Sequence, residues 1–140
     1  MILKIKKLDK NAKLPRYAHH GDAGLDLYSI ETKTLKSDTG YLFKTGLAAE
    51  IPKGYFGFIK ERSSFGKLGV IIAGGVIDSS YRGEILVSLF NTSNKTIKIN
   101  QNDKIAQMLI IPVSTVKVKQ VDKLSKTSRA DGGFGSSGRR

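Results

Sequence analysis

The segment Gly74–Glu84 carries the residues of this sequence best suited to activating a water molecule. It begins and ends with glycine-containing pairs, and Asp78 and Tyr81 lie near its bend. The Asp78 carboxylate can cap a turn through nearby backbone groups, or it can orient and deprotonate a water as a general base. The sequence has no cysteine, and its two histidines, His19 and His20, have no companion pattern for a metal site. A carboxylate is therefore the simplest candidate for a base, with Tyr81 as one wall of its pocket.

A second segment, Glu61–Gly66, combines groups that bind phosphate. Arg62 offers a guanidinium fork, Ser63 and Ser64 offer hydroxyls, and Gly66 lets the backbone approach a ligand closely. Arg-Ser-Ser strings are also frequent in solvated surface loops, and the residues alone favour that simpler interpretation. The position favours a ligand site, because the segment follows a predicted strand and loops at strand ends often present ligand-binding groups.

The composition changes near Ser125. From there to Arg140 the only apolar side chains are Ala130 and Phe134, so the segment cannot build a hydrophobic core. Taken alone, such a glycine-rich terminus is interpreted as a flexible tail. Phe134, which stands between two glycines, can instead lie flat on a planar ligand while neighbouring backbone amides and Arg129 contact phosphate.

Bulk properties limit the class of protein. The chain has 140 residues and a formal net charge of +12, from 24 Lys and Arg against 12 Asp and Glu. This length fits one domain, and the charge favours polyanionic partners without choosing among nucleic acid, acidic lipid and phosphorylated metabolites. The lack of cysteine excludes a disulfide framework. Lysines interrupt the apolar N-terminal residues, and no apolar run approaches the ~20 residues of a membrane span. We therefore expect a soluble, intracellular, cytoplasmic protein without a membrane partner.

Periodicity predicts an all-β fold, a sandwich or a barrel, because apolar residues alternate or cluster in short runs between Gly, Pro, Asn and Asp. Glu84–Phe90 is apolar enough to predict a strand buried on both faces, and Val116–Lys119 alternates like a half-buried strand. Pro52-Lys53-Gly54 predicts a turn. The other predicted strands are Leu25–Ile30, Tyr41–Phe43, Gly46–Ile51, Tyr55–Lys60, Val70–Ile72, Thr96–Ile99 and Ile105–Pro112.

Five short strings occur in order along the chain. They are Ala23-Gly24-Leu25-Asp26-Leu27-Tyr28-Ser29, Arg62-Ser63-Ser64, Gly75–Glu84, Asp103-Lys104-Ile105-Ala106-Gln107 and Gly132-Gly133-Phe134-Gly135-Ser136-Ser137-Gly138. In this order they resemble the five motifs of the homotrimeric dUTPases, which split dUTP into dUMP and pyrophosphate. Each string is a weak signal alone, but five in the order and spacing of the family are hard to attribute to chance. Departures are small: Ala130 stands where the family usually has Gly, and Ser137 where it usually has Thr.

The resemblance implies a distorted, jelly-roll-like β-barrel that assembles as a homotrimer with shared active sites. It divides the chain into a β-barrel core over residues 1–124 and a flexible glycine-rich arm over residues 125–140, which completes the active site of a neighbour. It further implies Mg²⁺-dependent hydrolysis of dUTP by water attack at the α-phosphorus, which lowers dUTP and supplies dUMP for thymidylate synthesis. No specific nucleic-acid partner is expected.

The same resemblance implies roles for individual residues. Asp78 would activate the attacking water, and Asp26 would act on Mg²⁺ through water while the substrate phosphates hold most of the ion. Tyr81 would pack against the deoxyribose, and Phe134 would stack on the uracil. The residues expected to act in catalysis are Asp78, Arg62, Asp26 and Gln107; those expected to bind substrate are Arg62, Ser63, Ser64, Gly66, Gly75, Val76, Ile77, Asp78, Tyr81, Leu86, Gln107, Arg129, Phe134, Gly135, Ser136 and Ser137.

Three other function classes share part of this evidence. A dCTP deaminase would have the same fold and some of the motifs, but the complete glycine-rich fifth motif favours a dUTPase. A regulatory nucleotide sensor could use the same scaffold, although the presence of Asp78, Arg62 and Phe134 together favours an active enzyme. A nucleic-acid-binding module is supported only by charge, through lysines such as Lys117 and Lys119, and scattered lysines more often form a solvated face.

Overall fold

The computed structural model describes residues 1–132 as an all-β fold, which confirms the predicted fold class. No helix within these residues is long and apolar enough to cross a membrane. The strands are β1 (Lys4–Lys7), β2 (Leu25–Tyr28), β3 (Lys33–Leu35), β4 (Thr39–Glu50), β5 (Tyr55–Lys60), β6 (Val70–Ile72), β7 (Val76–Ile77), β8 (Glu84–Asn91), β9 (Ile97–Ile99) and β10 (Lys104–Pro112), and one short helix, α1 (Ser63–Lys67), follows β5.

Three antiparallel sheets surround one core. The first sheet has the strand order β1-β4-β8-β6, the second β2-β10-β5-β7, and β3 pairs with β9 in the third. Neighbouring strands in each sheet are mostly distant in sequence, as in jelly-roll-like folds. Side chains from all three sheets form one buried cluster, and Phe43, Met108 and Ile99 within it are fully buried. Burial of apolar surface in this shared cluster joins the sheets into one domain.

Strand β8 corrects one prediction. Its residues alternate between buried and half-buried, and Ile85, Val87 and Leu89 have no exposed surface. The strand is therefore buried on one face only, and the expectation of burial on both faces is wrong. An antiparallel sheet can pack one face on the core and leave the other partly solvated.

The predicted strands Tyr41–Phe43 and Gly46–Ile51 are one strand, β4, of 12 residues. Its pairing with β8 shifts register between Lys44 and Ala48, which marks a β-bulge. Gly46 lies at this bulge with a φ of +66°, and a Cβ there would lie 2.9 Å from two N-terminal side chains. The bend therefore requires glycine, and it interrupts the alternation that the sequence shows.

The predicted strand Val116–Lys119 is absent from the structure. The last strand ends at Pro112, and Val116 and Val118 are 76% and 95% exposed. An alternating segment forms a strand only where another strand offers hydrogen bonds. Within the described part of the chain, no strand pairs with Val116–Lys119. The structure also contains two short strands that the sequence did not predict. Lysines occupy three of the four positions of β1, and β3 has only three residues.

The remaining predicted strands are confirmed to within two residues at each end. The predicted turn at Pro52-Lys53-Gly54 is confirmed as well. The amide of Tyr55 donates to the carbonyl of Pro52 at 3.2 Å, and Gly54 has a φ of +81°. Glycine is the residue that adopts this left-handed conformation without strain.

The outer face of the second sheet is polar at one end of its strands and apolar further along them. In β10, Gln107 lies opposite Asp26 of β2 and opposite Lys60 of β5. Because side chains alternate between the two faces of a sheet, the next outward positions of β10 and β5 are apolar. We call these four half-buried side chains the apolar patch; they are Phe56, Phe58, Leu109 and Ile111.

Candidate active site

Residues of three predicted motifs meet in one pocket of about 310 Å³ at the polar end of this outer face. Strand β2 supplies Asp26, the segment after β5 supplies Arg62, helix α1 supplies Ser63 and Ser64, and β10 supplies Gln107. We call it the Asp26 pocket. It combines a guanidinium, two hydroxyls and a side-chain amide, which are the groups that bind phosphate oxygens.

Asp26 is buried between two cations. Its Oδ1 lies 3.1 Å from Nε of Arg62, and its Oδ2 lies 2.7 Å from Nζ of Lys104. Oδ2 has this ion pair but no hydrogen-bond partner of good geometry. Burying a charge is costly unless it is paired, and these two cations supply the pairing. Sequence analysis assigned no role to Lys104, because its pairing with Asp26 depends on how β10 aligns with β2.

Helix α1 is a single turn that places the two serines. Arg62 precedes it in an extended conformation, with φ −77° and ψ 150°, and its carbonyl accepts the amides of Phe65 and Gly66 at 2.9 and 3.0 Å. Ser63 and Ser64 consequently line the pocket, whereas Gly66 does not. A Cβ added at Gly66 would meet one side-chain carbon at 3.8 Å, so the structure does not bring this glycine to the predicted phosphate contact.

Gln107 is held in place by its neighbours. Its Nε2 donates to the carbonyl of Glu61 at 3.1 Å. A Cβ at Gly24 would lie 2.9 Å from the Cβ of Gln107 and would collide with its Oε1, so the Gln107 side chain needs a glycine there.

The hydrogen bond from Lys60 is the largest influence that lowers the pKa of the Glu61 carboxyl. Glu61 is thus engaged with Lys60 at 2.9 Å, which leaves Asp26 as the carboxylate paired with Arg62.

The rim of the Asp26 pocket contains two residues that sequence analysis did not assign. His19 and Asp22 both line it; Oδ2 of Asp22 accepts the amide of His19 at 2.8 Å and lies 3.4 Å from its Nδ1. Within residues 1–132, no three His, Cys, Asp or Glu side chains are grouped so that they could hold a metal ion. A divalent cation at this pocket would therefore need further oxygen ligands from a bound molecule and from water.

A second pocket contains the candidate base. The carbonyl of Asp78 accepts the amide of Tyr81 at 3.1 Å, which closes a tight turn. Oη of Tyr81 donates to the carbonyl of Glu84 at 3.1 Å, and this bond fixes the ring beside the exposed Asp78. The pocket, called the Asp78 pocket below, measures about 170 Å³ and is lined by Val76, Ile77, Asp78, Tyr81, Glu84 and Leu86.

Gly75 attaches this hairpin to the sheet. Its φ is +106°, and its carbonyl accepts the amide of Ile59 at 2.7 Å. A Cβ at Gly75 would lie 2.6 Å from the carbonyl oxygen of Ile59. The hairpin backbone can therefore approach β5 this closely only because the residue is glycine. Gly75 acts on the Asp78 pocket by positioning it, since it does not line the pocket itself.

The two pockets lie at opposite ends of β5. Strand β7 runs antiparallel to β5, so Asp78, which follows β7, lies beside the start of β5 and lines a cavity with Tyr55 and Phe56. Arg62 comes after the end of β5. A strand of this length spans about 20 Å, and the pockets share no residue. One chain therefore does not bring Asp78 to the groups that surround Asp26.

The predicted fifth motif is described only at its beginning. Nε of Arg129 donates to the carbonyl of Gly132 at 2.8 Å, and Arg129 lines neither pocket. Ala130 has a φ of +44°, a conformation that favours glycine. The predicted boundary between residues 124 and 125 stays a prediction. The contacts predicted for Phe134, Gly135, Ser136 and Ser137 lie outside the described residues.

The fold and the Asp26 pocket define a jelly-roll-like β-protein equipped to bind a phosphorylated ligand. The family model of dUTPase matches residues 10–138. The chain belongs to the dUTPase family, as its five motifs predict.

Similar proteins and solved structures agree with this assignment. The deoxyuridine 5'-triphosphate nucleotidohydrolase of Alkaliphilus metalliredigens is 45% identical over 97% of this chain and 96% of its own. The enzyme of that name from Trichodesmium erythraeum is 45% identical over 99% of both chains. The dUTPase of Staphylococcus bacteriophage 80alpha, solved with dUPNHPP, has a TM-score of 0.91 and 32% identity over 98% of each chain. A dUTPase from phage phi11 of S. aureus, solved to show how a structural Mg(II) ion is coordinated, has a TM-score of 0.82 and 29% identity over 88% of this chain and 98% of its own.

Proposed function

We propose that this protein hydrolyses dUTP to dUMP and pyrophosphate with Mg²⁺, in active sites that are shared between the chains of a homotrimer. The separation of the Asp26 and Asp78 pockets along β5 carries the proposal of shared sites. Membership of the dUTPase family and the names of the relatives support the substrate. A related phage dUTPase that was solved with dUPNHPP supports it further.

The Asp26 pocket supplies the groups that bind the triphosphate. Arg62 donates to phosphate oxygens as a charge-assisted fork, and the hydroxyls of Ser63 and Ser64 and the amide of Gln107 complete the contacts. Negative charge on the phosphates increases as the bond to the α-phosphorus breaks. Fixed donors aimed at those oxygens stabilise the transition state more than the ground state.

The donor set of the Asp26 pocket fits Mg²⁺. Asp26 is a buried carboxylate whose Oδ2 is paired with Lys104 at 2.7 Å but has no well-aligned hydrogen bond, and Mg²⁺ prefers hard oxygen ligands while it keeps several waters. Asp26 would hold the hydrated ion through water, and oxygens of the substrate phosphates would supply the other ligands. When bound, Mg²⁺ neutralises charge on the phosphate oxygens.

The Asp78 pocket of a second chain supplies the base and reads the nucleoside. Asp78 takes a proton from the attacking water, which adds to the α-phosphorus as pyrophosphate leaves. The backbone at Val76 and Ile77 can complement the donor and acceptor edge of uracil, and cytosine would leave buried polar groups unpaired. The ring of Tyr81 packs against the deoxyribose, where a 2′-hydroxyl would collide with it.

Exposed apolar surface supports the assembly of several chains. The apolar patch lies on the outer face between the two pockets, and Val76 beside it is 61% exposed. Apolar side chains grouped on an outer face fit a contact with another chain. A second chain that covers the patch would bring its own Asp78 pocket toward the Asp26 pocket of the first. The number of chains, three, rests on the resemblance to homotrimeric dUTPases.

A comparison of four nucleotides tests the function. The purified protein with Mg²⁺ should release pyrophosphate from dUTP, and not from UTP, dTTP or dCTP at the same concentration, as measured by chromatography of the products. Turnover of UTP equal to that of dUTP would contradict the role of Tyr81. Orthophosphate as the product would contradict attack at the α-phosphorus, and deamination of dCTP would replace the proposal by a deaminase.

Substitution of Gly75 tests the position of the hairpin. We expect Gly75→Ala to lower kcat/KM for dUTP by about 10²-fold, the effect of a misplacement of about 1 Å, because the new Cβ must move away from the Ile59 carbonyl. Gly74→Ala is the matched control: its φ of +83° imposes similar backbone strain, but open space surrounds the added carbon. Steady-state kinetics and urea unfolding of both variants provide the measurement. Equal kcat/KM values for the two variants would reject the positioning role of Gly75.

A further inference from the structure

A third concavity, of about 520 Å³, lies on the N-terminal side of the fold. It shares no residue with the Asp26 pocket or the Asp78 pocket. We call it the Tyr28 cavity, because Tyr28 forms its floor. Its lining residues are Lys7, Ala12, Lys13, Leu14, Pro15, Arg16 and Tyr28.

The lining of the Tyr28 cavity contains three cations and no carboxylate. Nζ of Lys13 lies 5.5 Å from the centre of the Tyr28 ring, and Nε of Arg16 donates to Oη of Tyr28 at 3.2 Å. Within residues 1–132, Lys7, Lys13 and Arg16 take part in no salt bridge. Three cations that line one cavity without a carboxylate among them favour the binding of an anion there.

Tyr28 gives the cavity a rigid base. It is 5% exposed, and it lies two residues after Asp26 in β2, opposite Lys104. The carbonyl of Arg16 accepts the amide of Asp26 at 2.9 Å. The backbone of Arg16 is therefore fixed to β2, and its guanidinium is held against the Tyr28 hydroxyl before any ligand arrives. Such preorganisation lowers the entropy cost of binding.

We propose that the Tyr28 cavity is a second anion site, which binds an oligophosphate group. Three cations match the several adjacent charges of a pyrophosphate or a longer phosphate chain better than those of a single phosphate. The guanidinium supplies a fork for two phosphate oxygens, and the ammonium groups supply point charges. Leu14 is 56% exposed on the wall, and the volume leaves room for an apolar group attached to the phosphates. The ligand is thus either free oligophosphate or the phosphate chain of a nucleotide.

Calorimetric titration of the assembled full-length protein tests this site. Inorganic pyrophosphate is the probe, and a saturating non-hydrolysable dUTP analogue occupies the substrate site. We expect wild type to bind one pyrophosphate per chain, and Lys7→Ala/Lys13→Ala to bind it about tenfold more weakly or worse, because two of the three cations that would contact the ligand are lost. Lys36→Ala/Lys53→Ala removes the same charge elsewhere and should keep the affinity within about twofold, because distant surface charges are screened. Lys13→Arg keeps the cation and should retain binding.

Two results would overturn the proposal. One is no binding of pyrophosphate by wild type at millimolar concentration. The other is an equal loss of affinity in both double variants, which would indicate a general effect of net charge. A titration with ATP separates the two sources of the phosphate chain: tighter binding than pyrophosphate assigns the cavity to a nucleotide, and equal or weaker binding assigns it to free oligophosphate. If the analogue itself fails to bind, the proposed dUTP hydrolysis is in question, while the comparison of the variants still reports on the Tyr28 cavity.

Discussion

Asp78→Asn should lower kcat for dUTP by about 10²–10⁴-fold, the range that a general base contributes, while binding of a non-hydrolysable dUTP analogue stays nearly unchanged. Asparagine has the size of aspartate and can still hold a water, but it cannot accept the proton. The turn itself should survive, because it uses the carbonyl of Asp78 and the amide of Tyr81. Steady-state kinetics and calorimetry with the analogue measure the two effects separately.

Asp38→Asn is the matched control for this change. Asp38 lies in neither pocket, and asparagine tolerates its φ of 54°. This variant should keep the kcat of wild type. A normal kcat in Asp78→Asn would return Asp78 to a purely structural role in the turn. Loss of analogue binding together with kcat would show that the carboxylate acts in substrate binding and would reject its assignment as the base.

A chain that ends at Ser128 should fold normally and lose most of its activity. The described core draws no side chain from beyond Met108, apart from the half-buried Ile110 packed against it. Its thermal unfolding should therefore match that of the full chain. The truncation removes Arg129 and Phe134, which we propose contact the phosphates and the uracil. Contacts of this kind are worth roughly 1–3 kcal/mol each, so kcat/KM for dUTP should fall by about 100-fold.

The matched control for the truncation is a chain that ends at Gly138. It loses two terminal arginines and their charge but keeps the fifth motif, so its kcat/KM should equal that of the full chain. Circular dichroism melts and product chromatography of the three proteins provide the comparison. Full activity in the chain that ends at Ser128 would contradict the role predicted for the arm.

The fold was predictable where the residues of a single segment determine a strand. It was less predictable where a strand depends on pairing with a distant segment. Short apolar runs between turn residues identify β5 and most of β10. Alternation of apolar and polar residues, the other pattern that predicts a strand, is less reliable in this chain. The same pattern fails at Val116–Lys119, since no strand within the described chain pairs with it. It also divides β4 in two at Gly46, because a bulge changes which residues face inward.

For the candidate site as well, single segments were predictable and contacts between distant segments were not. Arg62, Ser63, Ser64 and Gln107 were predicted from the residue types and the resemblance, and the structure brings them into one pocket. The role of Lys104 could not be predicted, because it depends on the register of β10 against β2. The distance between Asp26 and Asp78 was equally hidden, since the direction in which β7 runs along β5 is a property of the folded sheet.

The position of β5 between the two pockets has a consequence for mixed populations of chains. Each proposed active site takes its phosphate-binding residues from one chain and its base from another. A chain with a defective Asp78 pocket therefore inactivates a site whose Asp26 pocket comes from an intact neighbour. That same chain still offers a sound Asp26 pocket to a second neighbour. A defect in one gene copy would therefore lower the activity of mixed assemblies that also contain intact chains. Two chains with defects in different pockets could form an intact site between them and restore some activity.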